Sequence, residues 1–198
     1  MEGRLTLLLG GVRSGKSRTA EKMAKRLGER VLYVATAEAK DEEMRARIEA
    51  HRSKRPADWR TIEVARNVGP AVTRALAGSE ADVVLLDCLT VLVANAMLEG
   101  LSNAEAARLD AAAAQARVSA EVDALLASLR SCSVPWIIVS NEVGGGVVPA
   151  TALGRSYRDL LGWANQRVAQ AADSVYLMVA GLPLNLSRLC REEQDRLA

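Results

Sequence analysis

At 198 residues and 21.2 kDa the chain is long enough for one domain with a buried core. Its 49% hydrophobic and 25% charged residues exclude a disordered or fibrous chain, and 26 basic against 24 acidic side chains leave a net charge of only +2, with no basic face for nucleic acid. Cys88, Cys132 and Cys190 are too scattered for a disulfide framework or a zinc site, and no apolar run reaches the roughly 18 residues of a membrane span, so a cytoplasmic protein is expected.

In chain order, Leu5–Leu9 is a short apolar run that reads as a strand, and Lys16–Leu27 follows as a helix closed by Gly28. Val31–Ala35 is a second strand. Asp41–Arg55 reads as a helix that starts at an N-capping aspartate and stops before Pro56. Thr61–Val64 is a weaker strand, followed by a helix over Val68–Leu76, a strand over Val83–Asp87 and a helix over Leu89–Leu98. Ala104–Leu129 reads as one long Ala-rich helix with Val118, Val122, Leu125, Leu126 and Leu129 on one stripe. Trp136–Ser140 is a strand, Thr151–Ala172 a helix after the Pro149 break, and Val175–Ala180 a last strand before a polar tail from about 187, expected to fray. Strands apolar along their whole length, alternating with helices, predict one α/β domain over 1–198 with a mostly parallel central sheet and helices on both faces. With no Phe, the core has to be built from Leu, Val, Ile and Ala.

The strongest motif is Gly10-Gly11-Val12-Arg13-Ser14-Gly15-Lys16-Ser17, a match to G-x-x-x-x-G-K-[ST] between the first strand and the first helix. Glycines let successive N–H groups turn onto phosphate oxygens, and the helix N-terminus adds partial positive charge. Lys16 is placed to reach the β- and γ-phosphates of a nucleoside triphosphate, and the Ser17 hydroxyl to ligate Mg²⁺. Asp87 ends an apolar strand, where a Walker B carboxylate holds Mg²⁺; as a bare feature it equally suits a cap for the next helix.

His51, the single histidine, falls with Met44 and Ile48 on one helix face. A neutral imidazole there is either a hydrogen-bonded ring at the edge of the core or a nucleophile toward phosphorus. Arg47, Arg52, Lys54 and Arg55 around it are either a solvated helix end or cations for a leaving pyrophosphate.

The loop with Arg18, then Tyr33-Val34-Ala35-Thr36, Asp41-Glu42-Glu43-Met44, Arg47-Ile48, His51 and Trp59-Arg60-Thr61 form an ordered set. Leu86-Asp87-Cys88-Leu89-Thr90, the segment from Asn141-Glu142-Val143-Gly144 to Pro149, and Asn165-Gln166-Arg167 continue it. The set resembles the bifunctional adenosylcobinamide kinase / adenosylcobinamide-phosphate guanylyltransferases of cobalamin synthesis, from the first strand to about Gly181. The resemblance implies a RecA-like P-loop NTPase fold. It also implies phosphorylation of a corrinoid hydroxyl by ATP or GTP with Mg²⁺, then GMP transfer from GTP through His51. It suggests GTP contacts at Gly10 to Ser17, at Ala35, Thr36 and Ala37, at Arg52, Ser53, Lys54 and Arg55, and at Glu63 and Asp87, with Lys16 catalytic in the kinase step. A homo-oligomer, a trimer in the family, is implied as well.

Two positions depart from some relatives, which carry Glu at the place of Asp87 and a second histidine at the place of Ala50. Thr36 also suits a polar strand end, Glu63 a solvated carboxylate, the Gly144–Gly146 loop a plain turn, and Arg13 either phosphate or a neighbouring subunit. The competing functions are a P-loop kinase with no covalent step and a GTP-dependent switch. The switch requires a guanine-reading Asn-Lys-x-Asp, and Asn141-Glu142 lacks its Lys and Asp.

Overall fold

The structure is a computed structural model that describes residues 4–39, 42–53, 55–78 and 80–197. Its elements run β1 (Leu5–Gly10), α1 (Lys16–Leu27), β2 (Val31–Ala35), α2 (Glu42–Arg52), β3 (Arg60–Glu63), α3 (Val68–Ala77), β4 (Val83–Asp87) and α4 (Leu89–Met97). They continue as α5 (Asn103–Ala106), α6 (Ala111–Ser131), β5 (Trp136–Val139), α7 (Ala152–Ala171), β6 (Ser174–Val179), β7 (Leu182–Asn185) and α8 (Leu186–Leu197). One seven-stranded sheet in the order β3-β2-β4-β5-β1-β6-β7 holds them together. Its pairings from β1 through β6 are parallel and β7 is antiparallel to β6. This is the mostly parallel α/β sheet of a P-loop NTPase, as expected.

Period-two alternation sends neighbouring residues of each strand into different layers. Leu8, Tyr33 and Leu85 pack with Ala20 and Ala24 of α1 on one face. Leu7, Val34 and Leu86 face the other layer, where α3, α4, α6 and α7 supply Val72, Leu92, Leu125 and Leu161. Helices therefore cover both faces, unevenly.

Three expectations change. The long helix predicted over Ala104–Leu129 is two helices. Asp110 is not an interior residue: its carboxylate accepts from the N–H groups of Ala112 and Ala113 at 2.9 and 3.2 Å and starts α6. Ser102 and Glu105 form a reciprocal capping box that starts α5.

The helix predicted over Asp41–Arg55 ends at Arg52, with the Arg55 N–H tightened onto the Arg52 carbonyl at 3.2 Å just before Pro56. Asp41 and Lys54 lie outside the described residues.

The polar tail is ordered into α8, whose entry is fixed by Asn185 accepting from the Arg188 N–H at 2.9 Å. Among the described residues no helix is long and apolar enough to cross a membrane.

Candidate functional site at the carboxyl edge of the sheet

The loop from Gly10 to Ser17 leaves the end of β1 and enters α1. Gly10 has φ +151, and a Cβ there would lie 2.5 Å from the Met178 carbonyl, so only glycine lets β1 turn this close to β6. Arg13 adopts the left-handed region at φ 57, and Gly15, at φ 96, is the residue before α1. Val12 and Arg13 are exposed at the crest, Ser14 and Lys16 are buried, and Ser17 is half-buried at the helix start.

The Lys16 ammonium donates to the carbonyls of Gly10 and Gly11 at 2.9 and 2.6 Å and to the Ser14 hydroxyl at 3.4 Å. Burial draws its pKa below the ordinary lysine value, and the opposing pull comes from Cys88 and then Asp87, which places the strand-end carboxylate within electrostatic reach of the loop. Burial and then Asp87 push the Cys88 thiol up to about 11.

Asp87 stands at the end of β4, two strands from the loop, with β5 between them. In register it faces Ala35 of β2, and Ala35 faces Glu63 of β3 on its other side. One row across the carboxyl edge therefore carries Glu63, Ala35 and Asp87, as an open parallel sheet presents ligand groups. Glu63 is exposed and Ala37 half-buried.

Thr36 is fully buried and all its polar groups are engaged. Its hydroxyl accepts from the Cys88 N–H at 3.0 Å and donates to the Cys88 carbonyl at 2.8 Å, and its own carbonyl accepts from Asn95 Nδ2 at 2.9 Å. Thr36 thus pins the end of β2 to the peptide after Asp87.

Arg52 and Ser53 are exposed where α2 ends. His51 lies in α2 by its backbone, and its side chain is outside what the structure describes, as is Lys54 altogether. Arg55 folds back into the site: its guanidinium carbon sits 3.8 Å from the Tyr33 ring centroid.

Several roles were not read from the sequence. The Tyr33 hydroxyl donates to Asp87 Oδ2 at 2.9 Å, and burial followed by the Asp87 charge pushes this phenol well above the usual tyrosine range, which keeps it a donor. A tyrosine in a strand otherwise apolar was the available signal, since a buried phenol needs a partner. Asn95 Nδ2 also donates to the Ala65 carbonyl at 3.1 Å, joining the ends of β2 and β3 from α4.

A second network brings together three segments far apart in sequence. Ser140 Oγ donates to Asn165 Oδ1 at 2.6 Å, Asn165 Nδ2 to the Asn141 carbonyl at 3.0 Å, and the Asn141 N–H to Thr90 Oγ1 at 2.7 Å. The Glu142 N–H reaches the Gly10 carbonyl at 3.0 Å, so the following loop is rooted beside the phosphate loop. Arg158 holds that loop through the Gly144 and Gly146 carbonyls. Partners of this kind, spread over separate helices, leave no local spacing to read.

The arrangement can grip a polyphosphate with backbone N–H groups and a buried ammonium, and it offers hard oxygen donors, the Ser17 hydroxyl and the Asp87 carboxylate, of the sort Mg²⁺ prefers. Comparison with known proteins agrees in kind. Residues 6–186 match the family model described as cobinamide kinase / cobinamide phosphate guanyltransferase. The chain is 40% identical over 184 residues to the bifunctional adenosylcobalamin biosynthesis protein CobU of Salmonella typhimurium, covering 92% of this chain and 99% of that protein. Its identity to the protein of that name from Escherichia coli is 38% over 184 residues, with the same coverage. To the bifunctional adenosylcobalamin biosynthesis protein CobP of Pseudomonas aeruginosa it is 43% identical over 183 residues, 91% of this chain and 95% of the relative.

Proposed function

The chain belongs to the cobinamide kinase / cobinamide phosphate guanyltransferase family, and from that premise we propose how its own residues divide the two reactions. In the first, the hydroxyl oxygen of adenosylcobinamide attacks the γ-phosphorus of ATP or GTP, the nucleoside diphosphate departs and the hydroxyl proton passes to solvent. Gly10 to Ser17 hold the phosphates, and Lys16 exchanges its loop carbonyls for phosphate oxygens and balances the charge of the transferring group. Ser17 and Asp87 would hold Mg²⁺, which would supply charge neutralisation for the phosphates.

In the second reaction His51 attacks the α-phosphorus of GTP and expels pyrophosphate, leaving GMP on the imidazole. A phosphate oxygen of adenosylcobinamide phosphate then attacks the same phosphorus, breaks the P–N bond and frees His51, giving adenosylcobinamide-GDP. Arg52, Ser53, Lys54 and Arg55 attend the leaving pyrophosphate, while Ala35, Ala37 and Glu63 line the nucleotide at the strand ends and the buried Thr36, expected as a direct contact, holds the end of β2 in place beneath them. The protein acts in the cytoplasm, in keeping with its free cysteines. It works as a homo-oligomer, a trimer by resemblance, which the exposed apolar face of the β6–β7 hairpin supports.

The observation that carries this reading is the convergence of the phosphate loop, Asp87 and the Arg55 segment on one edge of one sheet, in a chain of this family. The test is to supply adenosylcobinamide with GTP and Mg²⁺ and look by mass for both the phosphate and the GDP ester. In parallel, α-labelled GTP should leave an acid-labile, base-stable label on the protein that disappears in His51→Ala. Phosphate formation with no label would reduce the protein to a kinase.

A further inference from the structure

We propose that Tyr33 is a positioning residue that couples the segment carrying Arg55 to the Asp87 carboxylate, so that the histidine-bearing half of the site and the phosphate-loop half respond together to one nucleotide. The inference rests on the reading above and adds to it a residue with no nucleotide contact of its own.

Tyr33 is only 2% exposed, in the middle of β2, facing Leu85 in register, and its hydroxyl reaches along the sheet to Asp87 on the neighbouring strand. Its ring is enclosed by the turn after α2. The Arg55 guanidinium lies over one face at 3.8 Å, and Trp59 packs against the ring at 6.3 Å between centroids, tilted by 32°. The Trp59 N–H closes that turn onto the Pro56 carbonyl at 3.2 Å.

Arg55 Nε is buried with no hydrogen-bond partner among the described residues, and the guanidinium lies against the Tyr33 face. A cation over the ring draws electron density from the phenol and strengthens its O–H as a donor to Asp87. Movement of the segment after His51 is thereby felt at the carboxylate that would hold the metal. Losing a partner that orients a metal-binding carboxylate typically costs about 10–100-fold in metal affinity.

The experiment is a double-mutant cycle read by calorimetric titration of GTP, with Mg²⁺ and separately with EDTA, on wild type, Tyr33→Phe, Arg55→Ala and the double variant. Tyr33→Phe keeps the ring under Arg55 and removes the O–H. It should weaken Mg²⁺-supported binding about ten-fold and leave binding in EDTA within about two-fold. Arg55→Ala should cost less in the Tyr33→Phe background than in wild type, with a departure from additivity of about five-fold in Kd.

Additive effects, or Mg²⁺-supported binding unchanged in Tyr33→Phe, would overturn the coupling. Should Tyr33→Phe fail to fold by thermal unfolding, the cycle is run between Arg55→Ala and Asp87→Asn, where additivity is equally fatal. The histidine label with α-labelled GTP tests the underlying reading separately. A label with an additive cycle removes only the coupling, and an intact cycle without a label removes only the transfer mechanism.

Discussion

The backbone N–H of Gly181 donates to the Ser14 carbonyl at 3.0 Å, so the tip of the β6–β7 hairpin closes against the phosphate loop. Ala180 and Gly181 make the two-residue turn with φ of 51 and 84, both left-handed, as a type I′ hairpin demands. A Cβ at position 181 meets nothing within 4 Å, so the penalty of a side chain there is backbone strain alone. Gly181→Ala should cost about 1–2 kcal/mol of stability and weaken GTP binding by loosening the carbonyl behind the loop. Urea unfolding and a GTP titration check both, and wild-type values in each would disconnect the hairpin from the loop.

Lys16 leads to a pH prediction. Its ammonium is the charged form that a phosphate requires, and burial has drawn its pKa below the ordinary lysine value. The form needed for binding is therefore lost on the alkaline side earlier than for an ordinary lysine. The alkaline limb of kcat/KM, which reports the free enzyme, should fall below the ordinary lysine range, and Lys16→Ala should lower the kinase rate by roughly 10²–10³-fold. A limb at or above the ordinary lysine value would show that the group seen in the profile is another one.

Much of the fold was legible because the central strands are buried on both sides, and an unbroken run such as Val83–Leu86 announces that by itself. The loop was legible because its chemistry needs glycines and a lysine at fixed spacing. The β7 strand was not, since Leu182-Pro183-Leu184-Asn185 is short and holds a proline that argues against a strand away from a sheet edge. The break at Asp110 was missed because a cap inside an Ala-rich stretch looks like one more tolerated polar residue until its carboxylate is seen on two N–H groups. At the site, Asp87 was readable from its place at a strand end. Tyr33 and Asn95 act through hydrogen bonds across 54 and 59 positions, and no periodicity encodes those.

Asp82 predicts how the fold answers acid. Arg30 donates to it through its side chain and its backbone N–H, with Nε at 3.1 Å and N at 2.9 Å, and this holds the carboxyl down from 3.8 to about 2. A carboxyl whose folded pKa lies below its unfolded one stabilises the native state above the unfolded value, and that contribution drains away as pH falls from about 4 through about 2. Unfolding midpoints followed across this window should decline less steeply in Asp82→Asn than in wild type. Since Arg30 and Asp82 meet at an exposed site, added salt should shrink the difference. Identical slopes would assign the acid response to other carboxyls.

The hairpin also carries the prediction about assembly. Leu182 and Leu184 stand two apart on β7 and share a face, and Val179 lies directly opposite Leu182. Their exposures of 73, 46 and 58% put three large aliphatic side chains in water on one short surface. Scattered apolar residues are ordinary, whereas contiguous ones on a sheet edge mark a contact. Replacing both leucines by aspartate places two charges in any interface formed there, where an unpaired charge strongly disfavours association. In the monomer the same charges face solvent and cost little. Light scattering on the eluted protein should show wild type above the 21.2 kDa of one chain and Leu182→Asp/Leu184→Asp at that mass, with the melting of the variant reporting whether the fold persists. A variant that keeps the wild-type mass would move the interface off this hairpin, and a wild type eluting as one chain would remove the oligomer itself.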